Sequence, residues 1–215
     1  MLSFLKLLLA FAPWLSFLVI AQGSLLRLKL GLVVALVLSV VMGLSHLHRG
    51  VILWTGLTFF SYATIAVALL NDVWTARHMG VLANGALALA SWLTIAVRKP
   101  FSLDYAREHT DPSLWNTQAF IRTNVVITSA WALVFTVNTV LAWGKMVQFI
   151  LPEWGYEVIS YSLLIVTAAM TIWYPNHHRR IQETEAPAPQ LHRRNLLNRI
   201  WGYRLRIAPL MKRRG

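Results

Sequence analysis

Five of the seven histidines, two intramembrane amides and a scatter of carboxylates are the side chains of this sequence with chemistry to offer. His46, His48, His109, His177 and His178 all fall toward one side of the chain's hydrophobic segments. Zinc needs three or four ligands in a tight shell, and a membrane haem takes axial histidines from spans. His46 and His48 sit on opposite sides of a helix end, and His177-His178 runs straight into Arg179-Arg180. That pattern reads as a polar collar at a membrane boundary rather than a metal centre. With no cysteine in the chain, thiolate metal sites, iron–sulfur clusters, disulfides and a cysteine nucleophile are excluded. Neither a Ser/His/Asp arrangement, nor a phosphate-cradling glycine loop, nor a histidine box is present. The sequence therefore gives no catalytic residue, no cofactor site and no metal site.

The amides are Asn84 and Asn138, each inside a long apolar run. Polar groups buried in lipid are costly unless paired, so such residues either open a small polar site or bind one helix to another. Both are expected in the same half of the membrane, not far from Asn71 and Asp72, and the expectation is that they pair. No acid or base lies near the middle of any span: Asp72, Glu153 and Glu157 sit at one boundary, Arg98, Lys99 and Arg122 at the other. This argues against a proton relay or ion-coupled carrier, which place a carboxylate at the midplane.

These side chains are positioned by apolar segments. Of 215 residues 57% are hydrophobic and 13% charged, too few charges to cover a water-facing surface. The hydrophobic residues come in long runs, and a run of about 20 crosses a bilayer as a helix. The predicted fold is an all-α polytopic transmembrane bundle of about six spans, near residues 4–21, 30–47, 51–70, 81–97, 125–143 and 158–174. The first is read as an uncleaved span kinked at Pro13. The fourth, rich in small residues with Ala86 and Ala90 four apart, reads as a helix-packing face, within the chain or between copies of it. Residues 98–122 form the longest polar loop, where Asp111 is placed to cap a short helix after Pro112. The bundle is assigned to 1–175. Residues 176–215 are read as a basic tail with an Ala/Pro hinge and a surface helix.

Charge sets the orientation. Ten of the twenty Lys and Arg lie after Tyr174, and most others lie near span ends. The positive-inside rule then places both termini in the cytoplasm. The tail arginines Arg179, Arg180, Arg193, Arg194, Arg199, Arg204 and Arg206 become candidate contacts for anionic lipid of the inner leaflet, and the same distribution argues against nucleic acid as the partner.

Several motifs in order resemble the intracellular septation protein A family of small bacterial inner-membrane proteins. They are Phe11-Ala-Pro13, Asn71-Asp72, Gly85-Ala86-Leu87, Lys99-Pro100, and the series Trp115, Asn124, Trp131, Phe135, Asn138. Thr75-Ala76-Arg77-His78 departs from the family pattern. The resemblance implies a multi-pass inner-membrane protein, non-catalytic, serving septation and envelope maintenance through contacts with division and elongation proteins. Two other readings stand beside it. One is a small-solute transporter or channel with a polar pocket lined by Asn84, Asn138, Thr136 and Tyr161. The other is a lipid-modifying enzyme built on the histidines with Tyr105, Arg107 and Glu108.

Overall fold

In the computed structural model, residues 11–45, 50–108 and 110–185 are described. Among them are eight helices and no strand. The helices are α1 (Ala12–Ile20), α2 (Leu25–Leu44), α3 (Val51–Ala63), α4 (Val73–Arg77), α5 (Met79–Ala96), α6 (Ser102–Arg107), α7 (Gln118–Val147) and α8 (Glu153–Glu185). A π-turn, Thr64–Leu69, prolongs α3, and a 3-10 turn, Pro112–Leu114, lies between α6 and α7. Five segments are long and apolar enough to cross a membrane: Leu25–Leu44, Val51–Leu69, Met79–Ala96, Gln118–Val147 and Glu153–Pro175. They match the second to sixth expected spans. The first expected span lies partly outside the described residues; its described part is α1, which opens with Pro13 in its first turn. There the missing N–H costs nothing; the expected kink would involve residues before Phe11, which lie outside the described ones.

Boundaries follow local chemistry more closely than hydropathy. Gly23 takes φ +82° and Ser24 caps α2, its hydroxyl accepting from Arg27 N–H at 3.2 Å. The helix therefore begins five residues before the apolar run suggests. Arg27 and Lys29 lie in its first turns and not in a link. Likewise Thr117 caps α7, which starts seven residues before the expected span. The expected link 73–80 is largely helical, as α4 and the start of α5. Asp111 does accept from Ser113 N–H, at 2.8 Å, as its place before Pro112 suggested.

Three spans end on a non-glycine residue in the left-handed region: Asn71 (φ 55°), Arg98 (φ 58°) and Gln148 (φ 50°). At α5 the Arg98 N–H reaches Ile95 O (2.9 Å) and Lys99 N–H reaches Thr94 O (2.8 Å). At α7 Gln148 N–H reaches Lys145 O (3.3 Å) and Phe149 N–H reaches Gly144 O (3.1 Å). Both are Schellman closures, which satisfy the last carbonyls of a helix.

The chain divides into two compact units, Met1–Tyr174 and Pro175–Gly215. Within the first, α5 and α7 form the most extensive helix pair, followed by α1 with α2. The core is aromatic. Trp14 stacks on Phe59 (5.3 Å between centroids) and tilts against Phe60 (4.7 Å). Phe11 stacks on Trp131 (5.5 Å) and meets Phe101 edge-on (6.4 Å). A Cβ at Gly56 would stand 3.3 Å from Trp14 Nε1, so the glycine makes room for the indole. One end of the bundle, the link end, gathers the start of α2, α4 and the α7–α8 connection. The other, the loop end, holds residues 98–117.

Candidate functional site

Three polar clusters lie at three depths. At the link end, Asp72 caps α4: its carboxylate accepts from Trp74 N–H (3.0 Å) and from the Thr75 hydroxyl (2.6 Å). Those bonds, the Thr75 one foremost, hold the Asp72 carboxyl below the usual aspartate range. Tyr62 OH lies 3.1 Å from the same Thr75 hydroxyl, tying α3 to α4. Lys29 donates to the Asn71 amide oxygen at 2.5 Å. The His78 ring stacks on Trp74 at 4.2 Å, with Nδ1 2.8 Å from Trp74 O. Asn71 and Asp72 are thus a helix stop followed by a helix start, each with a defined partner.

The middle cluster contains the two amides, and they are not partners. Asn84, half-buried, turns its NH₂ back to Gly80 O on its own helix at 2.9 Å. Asn138 is only 1% exposed, and neither its amide nitrogen nor its amide oxygen has a hydrogen-bond partner. The expected pairing is overturned by the azimuth of the side chains. The depths do agree, since Gly80 packs against Ala142 and Gly85 against Thr139, bracketing both amides. The Thr64 hydroxyl, at the start of the π-turn, is also buried without a partner. Close approach of α5 to α7 runs through these glycines. Ala86 and Ala90 are half-buried, and Ala86 packs against the aromatic core. The small-residue face is therefore an internal packing surface.

At the loop end a buried hydroxyl network holds α6 against α7. Ser102 Oγ lies 2.9 Å from Asn124 Oδ1 and 3.0 Å from both Asn124 O and the Thr128 hydroxyl. Asn124 spends its NH₂ on Phe120 O (2.9 Å). About two turns beyond Asn124, Trp131 Nε1 donates to the Thr171 hydroxyl on α8 (3.0 Å). Asn124 and Trp131, picked out from the sequence, are brought into one structural column. Ser102 and Thr128 were missed: a serine in a polar loop and a threonine in a span carry no signal that they meet. On α6, burial raises the Asp104 carboxyl above the usual aspartate range, with Arg107 partly opposing. Tyr105 is pushed far up, first by burial and then by the nearby Asp104 and Glu108 charges, so its phenol stays protonated. Arg107 lies over the Trp115 ring at 5.6 Å.

The remaining residues proposed for a polar pocket are otherwise engaged. Thr136 accepts from Trp92 Nε1 (3.1 Å) and donates to Ala132 O (2.8 Å). Tyr161 OH accepts from Gln22 (3.3 Å). A hollow of about 380 Å³ does open beside the end of α7, lined by Val140, Leu141, Trp143, Phe149 and Ile150 among others. Its lining is apolar apart from Tyr156, whose OH accepts from Ile150 and Leu151 N–H. It suits hydrocarbon better than a polar solute.

Among the described residues no group of three or more His, Asp or Glu is placed to hold a metal. His46, His48 and His109 lie outside the described residues, as do Arg193, Arg194, Arg199, Arg204 and Arg206. The side chains of His178, Arg179 and Arg180 are likewise not described. No protein-family model matches the chain, and neither the curated proteins nor the solved structures give a match.

Proposed function

We propose that this multi-pass membrane protein is a non-enzymatic scaffold that works through contacts between its spans and other membrane proteins. The observation that carries this reading is the last span. Only 6% of its most apolar window is buried, against 28–44% in the other four. Its polar ties to the other helices include Trp131 to Thr171, Gln22 to Tyr161, and the Lys145–Glu157 ion pair at 2.5 Å. Val158, Ile165, Val166, Ile172 and Trp173 all point outward. Membrane helices associate by packing and sparse polar contacts, and a span so little used by its own bundle has a face to offer.

The resemblance to the septation protein A family supplies the setting. That is a bacterial inner membrane, and work in cell division and envelope maintenance alongside division and elongation proteins; the charge distribution, apart from the resemblance, is what sets the basic tail in the cytoplasm. The competing transporter or channel reading draws no support from Asn84 and Asn138, one turned to its own backbone and the other sealed. Among the described residues no group of three or more His, Asp or Glu stands behind the enzyme reading.

The test is photocrosslinking in living bacteria from Ile165, Val166 and Ile172, with the buried Ala132 as control. Expected are discrete adducts to another membrane protein, or to a second copy, from the α8 positions only. Adducts to lipid alone at all three positions would overturn the scaffold reading.

A further inference from the structure

Three cations at the loop end have no structural task that explains them. Arg98, Lys99 and Arg122 are exposed, and among the described residues none pairs with a carboxylate. Asp104 stands by Arg107, and Asp111 accepts from Ser113. The three come from two helices that packing brings to one level. Gly80 faces Ala142, Gly85 faces Thr139 and Trp92 bonds to Thr136, so α5 and α7 run antiparallel. Continued along both helices at their common rise, the glycine contacts set residues 98–99 beside about residues 123–126 of α7, about one turn from Arg122. The Ser102 bond to Asn124 confirms that level.

Two placements run against local preference. Arg98 occupies the left-handed closing position of α5, where glycine fits without strain. Arg122 lies near the N-terminus of α7, the positive end of the helix dipole, and the first turn of that helix carries no acid. Cations held where the backbone disfavours them are explained by an anion between them. Beside them Leu93, Val97 and Ile121 are exposed and apolar, which marks the edge of the hydrocarbon layer.

We propose that Arg98, Lys99 and Arg122 bind the phosphate of an anionic phospholipid headgroup, with the acyl chains lying along Leu93, Val97 and Ile121. Arginine suits the role because its planar fork meets phosphate oxygens two at a time. The site is built without the tail arginines and does not depend on the scaffold role or on which leaflet the loop end faces.

The experiment uses the full chain in phosphatidylcholine nanodiscs doped with a photoactivatable phosphatidylglycerol, and maps the label by mass spectrometry. Label is expected on the segments around residues 93–99 and 118–122. The triple variant Arg98→Gly, Lys99→Gln, Arg122→Gln should lose about tenfold of it there while labelling of the tail continues. If the triple variant fails to fold, Arg98→Gly alone carries the test, because its backbone favours glycine; it should still reduce the local label. Unchanged labelling in the variant would overturn the site. So would equal labelling by a photoactivatable phosphatidylcholine, or full displacement by millimolar inorganic phosphate.

Discussion

Asn138 offers the sharpest perturbation. Its amide is sealed in the core with both ends unpartnered. A buried polar group without a hydrogen bond costs roughly 1–3 kcal/mol, and polar contacts within membranes point to the lower end of that range. Leucine is close to asparagine in length and branching, so repacking should take back less than about 1.5 kcal/mol. Asn138→Leu is therefore expected to leave stability unchanged or raise it by up to about 1 kcal/mol, at most a rise of roughly 2–4 °C in Tm for a chain of this size. Intrinsic-fluorescence melting in detergent measures it. Asn84→Leu loses only a bond to its own helix at a half-buried position, and should move Tm little. The two share no bond, so the double variant should show the sum of the single effects. A drop of several degrees for Asn138→Leu, or strong coupling to Asn84, would refute the reasoning. The amide would then have a partner, and the polar-pocket reading would regain ground.

Other expectations follow from single contacts. A Cβ at Gly144 would stand 3.0 Å from Tyr156 Cε1, and that ring is pinned by two backbone N–H groups, so Gly144→Ala should lower Tm by several degrees and loosen the α7–α8 turn. Burial raises the Asp104 pKa, so the folded state disfavours its charged form, and stability falls as pH rises from about 4 through the raised value. Asp104→Asn should accordingly melt higher than the wild type at pH 7, with the difference fading toward pH 4; a constant difference would exclude this cause. A periplasm-dependent reporter fused after Gly215 should be silent, and one inserted between Lys145 and Glu153 active; the reverse pattern would invert the orientation.

The spans were legible because bilayer thickness and helix rise together fix the length of an apolar run, and five of the six expected spans reappear as helical segments, with ends shifted by up to about seven residues. Caps then moved their ends: Ser24 and Thr117 recruit polar residues into helices that hydropathy alone leaves in loops. Depth was legible too, since residue count along a helix gives it, and Asn84 and Asn138 do share a level. Azimuth was not. Successive residues turn by about 100°, so which side chains meet depends on how each helix is rotated against its neighbours. That rotation left Asn138 without a partner and sent Asn84 to Gly80. It also joined Ser102 to Asn124 and Thr128 across more than twenty residues. The same holds for the last span. Its sequence is as apolar as a core helix, and only the packing of the other spans shows that the bundle leaves most of it uncovered, because lipid and protein interiors demand the same side chains.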